Sequence, residues 1–470
     1  MLGVSLSAEV AAGTEPIQLS SDPYTNADSQ HQSQVEPDTF AFGATIVAAF
    51  QSGRFFDGGA SNIGWAVSHD AGSTWTDGFL PVTTVNSTPP GPFPRVSDPS
   101  VAYDARHDVW LIATLAFGGA TNAVLVSRSN DGGVTWDAPI TVSSSTTDFY
   151  DKPWIACDNG VSSPFWGNCY STWDGRRLQI LMSTSSDGGL TWGPKQSPRL
   201  AFGVGGQPVV QPSGPVIVPA FDPFRDHFIV FRSPDGGAHW SPRHRLAKLI
   251  SHHTSRTGLR DAAGLPSAEV DGSGKIYVVW PDCRFRSGCT ANDIVLSTST
   301  NGIRWSPVMR IPIDAETSSV DHFIPGLAVD PSTSGEAAHL ALTYYYYPNT
   351  DCAPDTCELS VGFVHSSDGG ATWSVPTTLA GPMKLSWLAS TDQGFMVGDY
   401  ISTSFTGSKA VSVFANASAP THGLLQEAMF GTVTDVMTAS GTANAMSMRF
   451  APVRVRDSGD RMRLAPLRRR

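Results

Sequence analysis

No apolar run in this chain approaches the roughly 20 residues that a membrane-spanning helix needs, so no bilayer-crossing segment is expected. None of the 6 cysteines forms a Cys-x-x-Cys spacing, which removes the commonest zinc and dithiol frames. Long stretches of helical periodicity are missing as well, which argues against a helical bundle. Cations are outnumbered, with Lys+Arg 31 against Asp+Glu 42 and a formal net charge of -11. Phosphate backbones are bound by clustered cations, so nucleic acid is excluded as the main partner. The one basic stretch is the C-terminal "VRVRDSGDRMRLAPLRRR", and residues 456–470 read as a solvated, flexible tail.

What is present is turn chemistry. The 470 residues include Gly 45 and Pro 34. Short runs rich in Val, Ile, Thr, Tyr, Phe and Trp alternate with Gly, Pro, Asp and Ser clusters. That pattern predicts many short antiparallel strands. One octapeptide recurs: "SHDAGSTW" at Ser68–Trp75, "SNDGGVTW" at Ser129–Trp136, "SSDGGLTW" at Ser185–Trp192, "SPDGGAHW" at Ser233–Trp240 and "SSDGGATW" at Ser366–Trp373. A shortened copy, "STNGIRW", runs from Ser299 to Trp305. The starts are 61, 56, 48, 66 and 67 residues apart, the period of an array of supersecondary units.

The second unit is the clearest. "DPSVAYD" (Asp98–Asp104) opens an inner strand, "VWLIATLAF" (Val109–Phe117) is a buried one and "NAVLVSRS" (Asn122–Ser129) a third. The octapeptide then turns the chain into "APITVSS" (Ala138–Ser144). Four antiparallel strands in one such unit make a propeller blade. The Asp of the octapeptide can accept backbone N–H bonds, its glycines supply positive φ, and its Trp can pack between blades.

Inner strands are read at "QVEPDTFAF", "VSDPSVAYD", "YDKPWIACD", "GGQPVVQP", "GLPSAEVD", "FIPGLAVD" and "VGDYISTSF". The last has no octapeptide after it. The N-terminal "EPIQLSS" (Glu15–Ser21) would complete that unit and close the ring; "MRFAPVRV" (Met448–Val455) is the rival for the place. The expectation is one all-β propeller over 15–455 with seven four-stranded blades, six being the alternative.

The cysteines fall into close pairs, Cys157 with Cys169, Cys283 with Cys289 and Cys352 with Cys357. Three local disulfides are expected, and with them an oxidising, extracellular compartment. Residues 1–14, "MLGVSLSAEVAAGT", read as the remnant of a signal segment, with a small-residue end but no basic start.

The octapeptide resembles the Asp-box, or bacterial neuraminidase repeat. On its six copies the chain resembles the sialidase-like superfamily of β-propellers over nearly its whole length. The resemblance implies boxes on the outer rim of the face opposite the active site. It also implies a glycan or polysaccharide substrate. The Phe/Tyr-Arg-Ile-Pro motif of sialidases has its nearest counterpart in "FPRVSDP" (Phe93–Pro99).

Residues just before inner strands converge on one mouth of a propeller. Here they are Arg95, Asp98, Asp151, Lys152, Gln207, Arg260, Asp261, Asp321, His322, Asp399 and Tyr400. Guanidinium groups grip carboxylates in a bidentate manner, which suits Arg95 and Arg260. Lys152, Gln207, His322 and Asp399 are further substrate-binding candidates. Asp98 or Asp151 is the candidate general acid. The resemblance implies a tyrosine nucleophile assisted by a carboxylate, here Tyr400 with Asp399 or Glu269. Each has a bland alternative: a turn cap at Asp98, a surface ion pair at Asp151–Lys152, a mobile loop at Arg260, a structural histidine at His322. Arg284 and Arg286 either reach the mouth or decorate a stapled loop. The tyrosines of "LTYYYYPN" serve inter-blade packing or sugar stacking. No cofactor or metal cluster is called for, a structural Ca²⁺ on loop carboxylates being the one ion left open.

The favoured reading is a secreted, monomeric exo-glycoside hydrolase of the sialidase-like type acting on acidic glycans. A polysaccharide lyase cleaving beside a uronic acid, using His322 with Lys152, is the second. A non-catalytic glycan- or protein-binding propeller is the third.

Overall fold

The structure is a computed structural model describing residues 15–254, 258–260, 264–349, 352–436 and the short strand Met446–Ser447. The suggested signal remnant, Asp261, the rival strand from Met448 and the basic tail lie outside the described residues. Among the described residues regular structure is strands and short 3-10 turns. No helix there is long and apolar enough to cross a membrane.

The strands form antiparallel meanders. The first is Gln34–Phe42, Thr45–Arg54, Ala60–Ser68 and Thr76–Phe79. The second is Arg95–Asp104, Val109–Phe117, Asn122–Ser129 and Ile140–Ser145. The third has only Asp151–Cys157, Cys169–Asp174 and Ile180–Ser185. The fourth opens with Val209–Val210, the fifth with Ser267–Val270 and the sixth with Asp321–Val329, each four strands wide. The last consists of Ser402–Thr406, Lys409–Ala417 and Glu427–Asp435. Ile17–Gln18 pairs with Glu427–Asp435 and supplies its fourth strand, as the sequence suggested.

First strands of successive meanders lie side by side in cyclic order, and Ser402–Thr406 returns to Gln34–Phe42. Side chains stitch this inner ring. The Thr39 N–H donates to Ser402 Oγ at 3.0 Å, and Leu327 N–H to Ser267 Oγ at 2.9 Å. Thr403 Oγ1 donates to the Gly326 carbonyl at 2.9 Å. The architecture is therefore an all-β propeller. The blade count differs from expectation. Among the described residues the three- and four-stranded sheets give five separate blades, whereas the first two meanders are hydrogen-bonded into one eight-stranded sheet. The cause is a single pairing, Ala60 with Val96, which bridges them.

The core is distributed between blades. Val47, Ile63 and Trp65 of the first meander pack with Tyr103, Trp110 and Ile112 of the second, and Trp136 joins them. The octapeptides hold these seams. Asp70 Oδ1 accepts the Ser68 hydroxyl at 2.8 Å and the Thr74 N–H at 2.8 Å, while Oδ2 accepts the Thr74 hydroxyl at 2.6 Å. Those bonds, the Thr74 hydroxyl first, bring the carboxyl down to about 2. The turn's second glycine faces the preceding meander. Gly72 has φ +85°, and a Cβ there would stand 2.6 Å from Val433 of the last meander. Gly133, the same position one unit on, would meet Val47 of the first at 2.8 Å. The repeat thus locks each blade to the one before it, around to the closure.

All three expected disulfides are formed: Cys157–Cys169, Cys283–Cys289 and Cys352–Cys357. They tie their loops to adjacent strands. Removing one such crosslink typically costs about 2–4 kcal/mol, so Cys157→Ser/Cys169→Ser is expected to lower the urea midpoint clearly.

Candidate active site

The inner strands share a local device. Glu36, Asp98, Lys152 and Ile324 each precede a proline, and each has positive φ, at 61°, 48°, 49° and 48°. A residue before proline is normally driven to extended backbone, so each carries strain of about 1–3 kcal/mol. At all four the register with the neighbouring strand shifts. Such bulges re-aim side chains. Here they bring an acid, an acid and a lysine from three consecutive meanders together.

Lys152 Nζ is the hub. It lies 2.5 Å from Asp399 Oδ2, 3.2 Å from Asp98 Oδ1 and 3.6 Å from Glu36 Oε1. Arg260 Nη2 reaches the same Asp399 oxygen at 2.6 Å. Arg260 comes from the long connection before the fifth meander, where its N–H donates to the Phe395 carbonyl at 2.6 Å. Gly398 (φ +145°) lets that strand approach, because a Cβ there would lie 2.7 Å from Glu36 Cα. Asp151 Oδ1 accepts the Lys152 N–H at 3.0 Å, and Asp174 stands directly opposite Asp151 on the adjoining strand.

Five carboxyls meeting Lys152 and Arg260 cannot all be ionised in a dry site. For Asp399, burial pushes the pKa up but Arg260 and Lys152 outweigh it and hold it well down. Burial pushes Glu36 up to about 8 against the pull of Lys152. Burial and then Asp98 raise Asp151 to about 6. Burial and then Asp151 keep Asp174 far above the carboxylate range. Burial would lower Lys152, but its four carboxyl neighbours, Asp399 foremost, raise it well above normal.

Below the cluster runs a central cavity of about 480 Å³, from Lys152, Asp399 and Tyr400 down to Val161 and Gly272. It contains Asp38 and Glu269. Burial raises Asp38 to about 7, and burial with Asp38 raises Glu269 to about 8. A carboxyl whose pKa is raised by folding stabilises the fold below its unfolded value and loses that contribution as pH climbs through the folded value. Glu36, Asp38 and Glu269 act in the same direction. The thermal midpoint is therefore expected to fall between pH 5 and pH 8. Glu269→Gln should flatten the slope, and an unchanged slope in differential scanning calorimetry would contradict this.

The other expected residues go elsewhere. Arg95 Nη1 pairs with Asp57 Oδ1 at 2.7 Å, and its guanidinium lies over Phe55 and Phe117. Gln207 bridges two meanders, donating to the Ala268 carbonyl at 3.2 Å and accepting the Ala268 N–H at 2.9 Å. His322 Nδ1 lies 3.1 Å from the Asn292 carbonyl oxygen, and burial lowers its pKa. With Asp293 and Asp314 it forms an acid–histidine group of metal-ligating type. Arg286 and Arg310 reach Oδ1 of both carboxylates at 2.6–2.8 Å, while the buried Oδ2 of each has no hydrogen-bond partner. Tyr400 is buried and donates its hydroxyl to the Pro99 carbonyl at 2.9 Å. Its pKa lies far above normal, through burial first and then Glu36. Arg284 pairs with Asp282 at 2.7 Å. Tyr344, Tyr345 and Tyr347 are buried in packing, and Tyr345 bonds the Ala415 carbonyl of the last meander at 2.8 Å.

Glu36, Asp38 and Asp174 were not singled out from sequence. Glu36 had a signal: "VEPD" places an acid before proline, as "SDPS" and "DKPW" place Asp98 and Lys152. Asp174 had none, since its role comes from facing Asp151 across a strand pair.

No family model matches the chain. A xyloglucanase from Paenibacillus sp. is 28% identical over 202 residues, which is 39% of this chain and 19% of that protein. The chain thus spans about a fifth of that relative's length. Among solved structures, the Penicillium chrysogenum α-L-arabinanase complexed with arabinobiose aligns with TM-score 0.47 and 13% identity, over 91% of this chain and 99% of that one. The Ruminococcus gnavus intramolecular trans-sialidase with oseltamivir carboxylate aligns with TM-score 0.44 and 13% identity, over 88% and 97%.

Proposed function

We propose that the protein is a secreted, monomeric glycoside hydrolase with a seven-bladed Asp-box propeller, the two fused meanders counting as two blades. The observation that carries the reading is the mouth itself. A half-buried Asp151 that keeps its proton up to about pH 6 stands beside Asp98, Asp399 and a lysine. A carboxyl that holds its proton next to one kept ionised is the division of labour that glycosidic cleavage requires. Asp151 acts as general acid and Asp98 as its carboxylate partner.

The sialidase form of this reading needs guanidinium groups free for a substrate carboxylate. Arg95 and Arg260 have Asp57 and Asp399 as partners. The geometry therefore favours a neutral sugar over an acidic one. The lyase reading would join His322 to Lys152, which sit in separate clusters. Incubation with a panel of neutral, sialylated and uronate-containing glycans, with products analysed by mass, tests the proposal. Hydrolysis of neutral glycans supports it. Unsaturated products or no product from any glycan overturn it.

Tyr400→Phe separates the two hydrolase forms. Losing one buried hydrogen bond to Pro99 should cost about 1 kcal/mol of stability and change kcat little. A collapse of kcat would instead restore the tyrosine as nucleophile.

A further inference from the structure

Rings gather around Arg95, which opens the strand that carries Asp98. The Arg95 guanidinium carbon lies 5.1 Å from the Phe55 ring centre and 5.8 Å from that of Phe117. Phe149 meets Phe117 edge to face, with ring centres 5.8 Å apart. Arg95 also donates to the Gly58 carbonyl at 2.9 Å, beside its bond to Asp57. Phe56, the next residue, is 53% exposed and Phe149 45%, and the Asp57 side chain is 67% exposed.

The group adjoins the mouth along the chain. Arg95 starts the strand that carries Asp98, and Phe149 stands two residues before Asp151. Phe55 and Phe56 follow Arg54, and Phe117 pairs with Arg95 in register. Two exposed rings, Phe56 and Phe149, accompany a charge-neutral, hydrogen-bonding ion pair here, with Phe55 and Phe117 packed behind it. A sugar has the counterpart of both, an apolar C–H face and a rim of hydroxyls. Aromatic rings take the first and fixed polar groups the second.

We propose that Phe56, Asp57, Arg95, Phe117 and Phe149 form a saccharide-binding subsite that holds a neutral glycan chain beside the mouth. It rests on the glycan reading above. Because Asp57 neutralises Arg95, the group offers no net charge to an acidic sugar.

The test is native affinity electrophoresis of the full chain through gels containing xyloglucan, arabinan or polygalacturonate. The comparison is with Phe56→Ala/Phe149→Ala, and both proteins are also run in sedimentation velocity and assayed for released sugars. Both rings are exposed, so an unchanged thermal midpoint checks that the variant folds. Retardation of the wild type by a neutral polymer, with affinity weakened about tenfold in the variant, is the expected result. Equal retardation of both proteins, or none of the wild type, overturns the subsite. So does preference for polygalacturonate, or a dimer that the variant abolishes. Sugar release without retardation removes the subsite and leaves the hydrolase. Retardation without sugar release keeps the subsite and removes the hydrolase.

Discussion

Lys152→Met is expected to cost about 3–5 kcal/mol of folding stability, the range for removing one partner of a buried ion pair. The Lys152 side chain is only 11% exposed, and Asp399, Asp98 and Glu36 are drier still. Without the ammonium, Asp399 keeps Arg260 alone, and Asp98 loses its nearest cation. These groups come from the first, second, third and last meanders, so the damage falls on the closure of the ring. Urea denaturation measures it. Lys152→Met/Asp399→Asn should recover part of the loss, because the most costly unpaired charge goes with the lysine. A single-variant loss under about 1 kcal/mol would mean that water screens the cluster as it screens a surface pair. The hub would then be decoration and not the joint of the ring.

Much of the scaffold was legible because it rests on local chemistry. The octapeptide turn is closed by atoms within a few residues of one another, as with Ser68, Asp70 and Thr74, so the motif carries its own structure. The disulfides join cysteines 12, 6 and 5 residues apart. The N-terminal strand was readable from its likeness to the other outer strands and from the missing fourth strand at the other end. The fusion of the first two meanders was not, because it turns on one backbone pairing at Ala60.

The mouth was half legible for a different reason. Inner-strand starts identify which residues approach the axis, and Asp98, Lys152 and Asp399 are found there together. They do not tell where a long side chain ends. Arg95 turns back to Asp57, 38 residues earlier, and Arg260 reaches Asp399, 139 residues later. Tyr400 looks like a nucleophile in sequence, yet the chain places the Pro99 carbonyl in front of its hydroxyl. Partner choice over such separations is decided by which bulge re-aims which strand. Positive φ before a proline is not something the residue types announce.

Asp151→Asn is expected to reduce kcat by about 10²–10⁴-fold on the hydrolysed glycan, the span for loss of a positioned acid. In the wild type the acid must hold its proton, and Asp151 does so up to about pH 6, so kcat should fall as pH rises beyond that point. Two neighbours act on this limb with opposite sign. Asp98 is the carboxylate partner and also a like charge that raises the Asp151 pKa, so Asp98→Asn lowers kcat and, on the activity that remains, moves the alkaline limb to lower pH. Lys152 lowers the Asp151 pKa, so any lysine variant that still folds should move the limb upward. Burial and then Asp151 push the Asp174 pKa well above the ordinary value, so Asp174→Asn, which puts a neutral group there, should move the limb least. The pH dependence of kcat in the four variants therefore has a required pattern: lost, down, up and least moved. If Asp98→Asn abolishes turnover while Asp151→Asn keeps it, Asp98 is the proton donor and the assignments exchange.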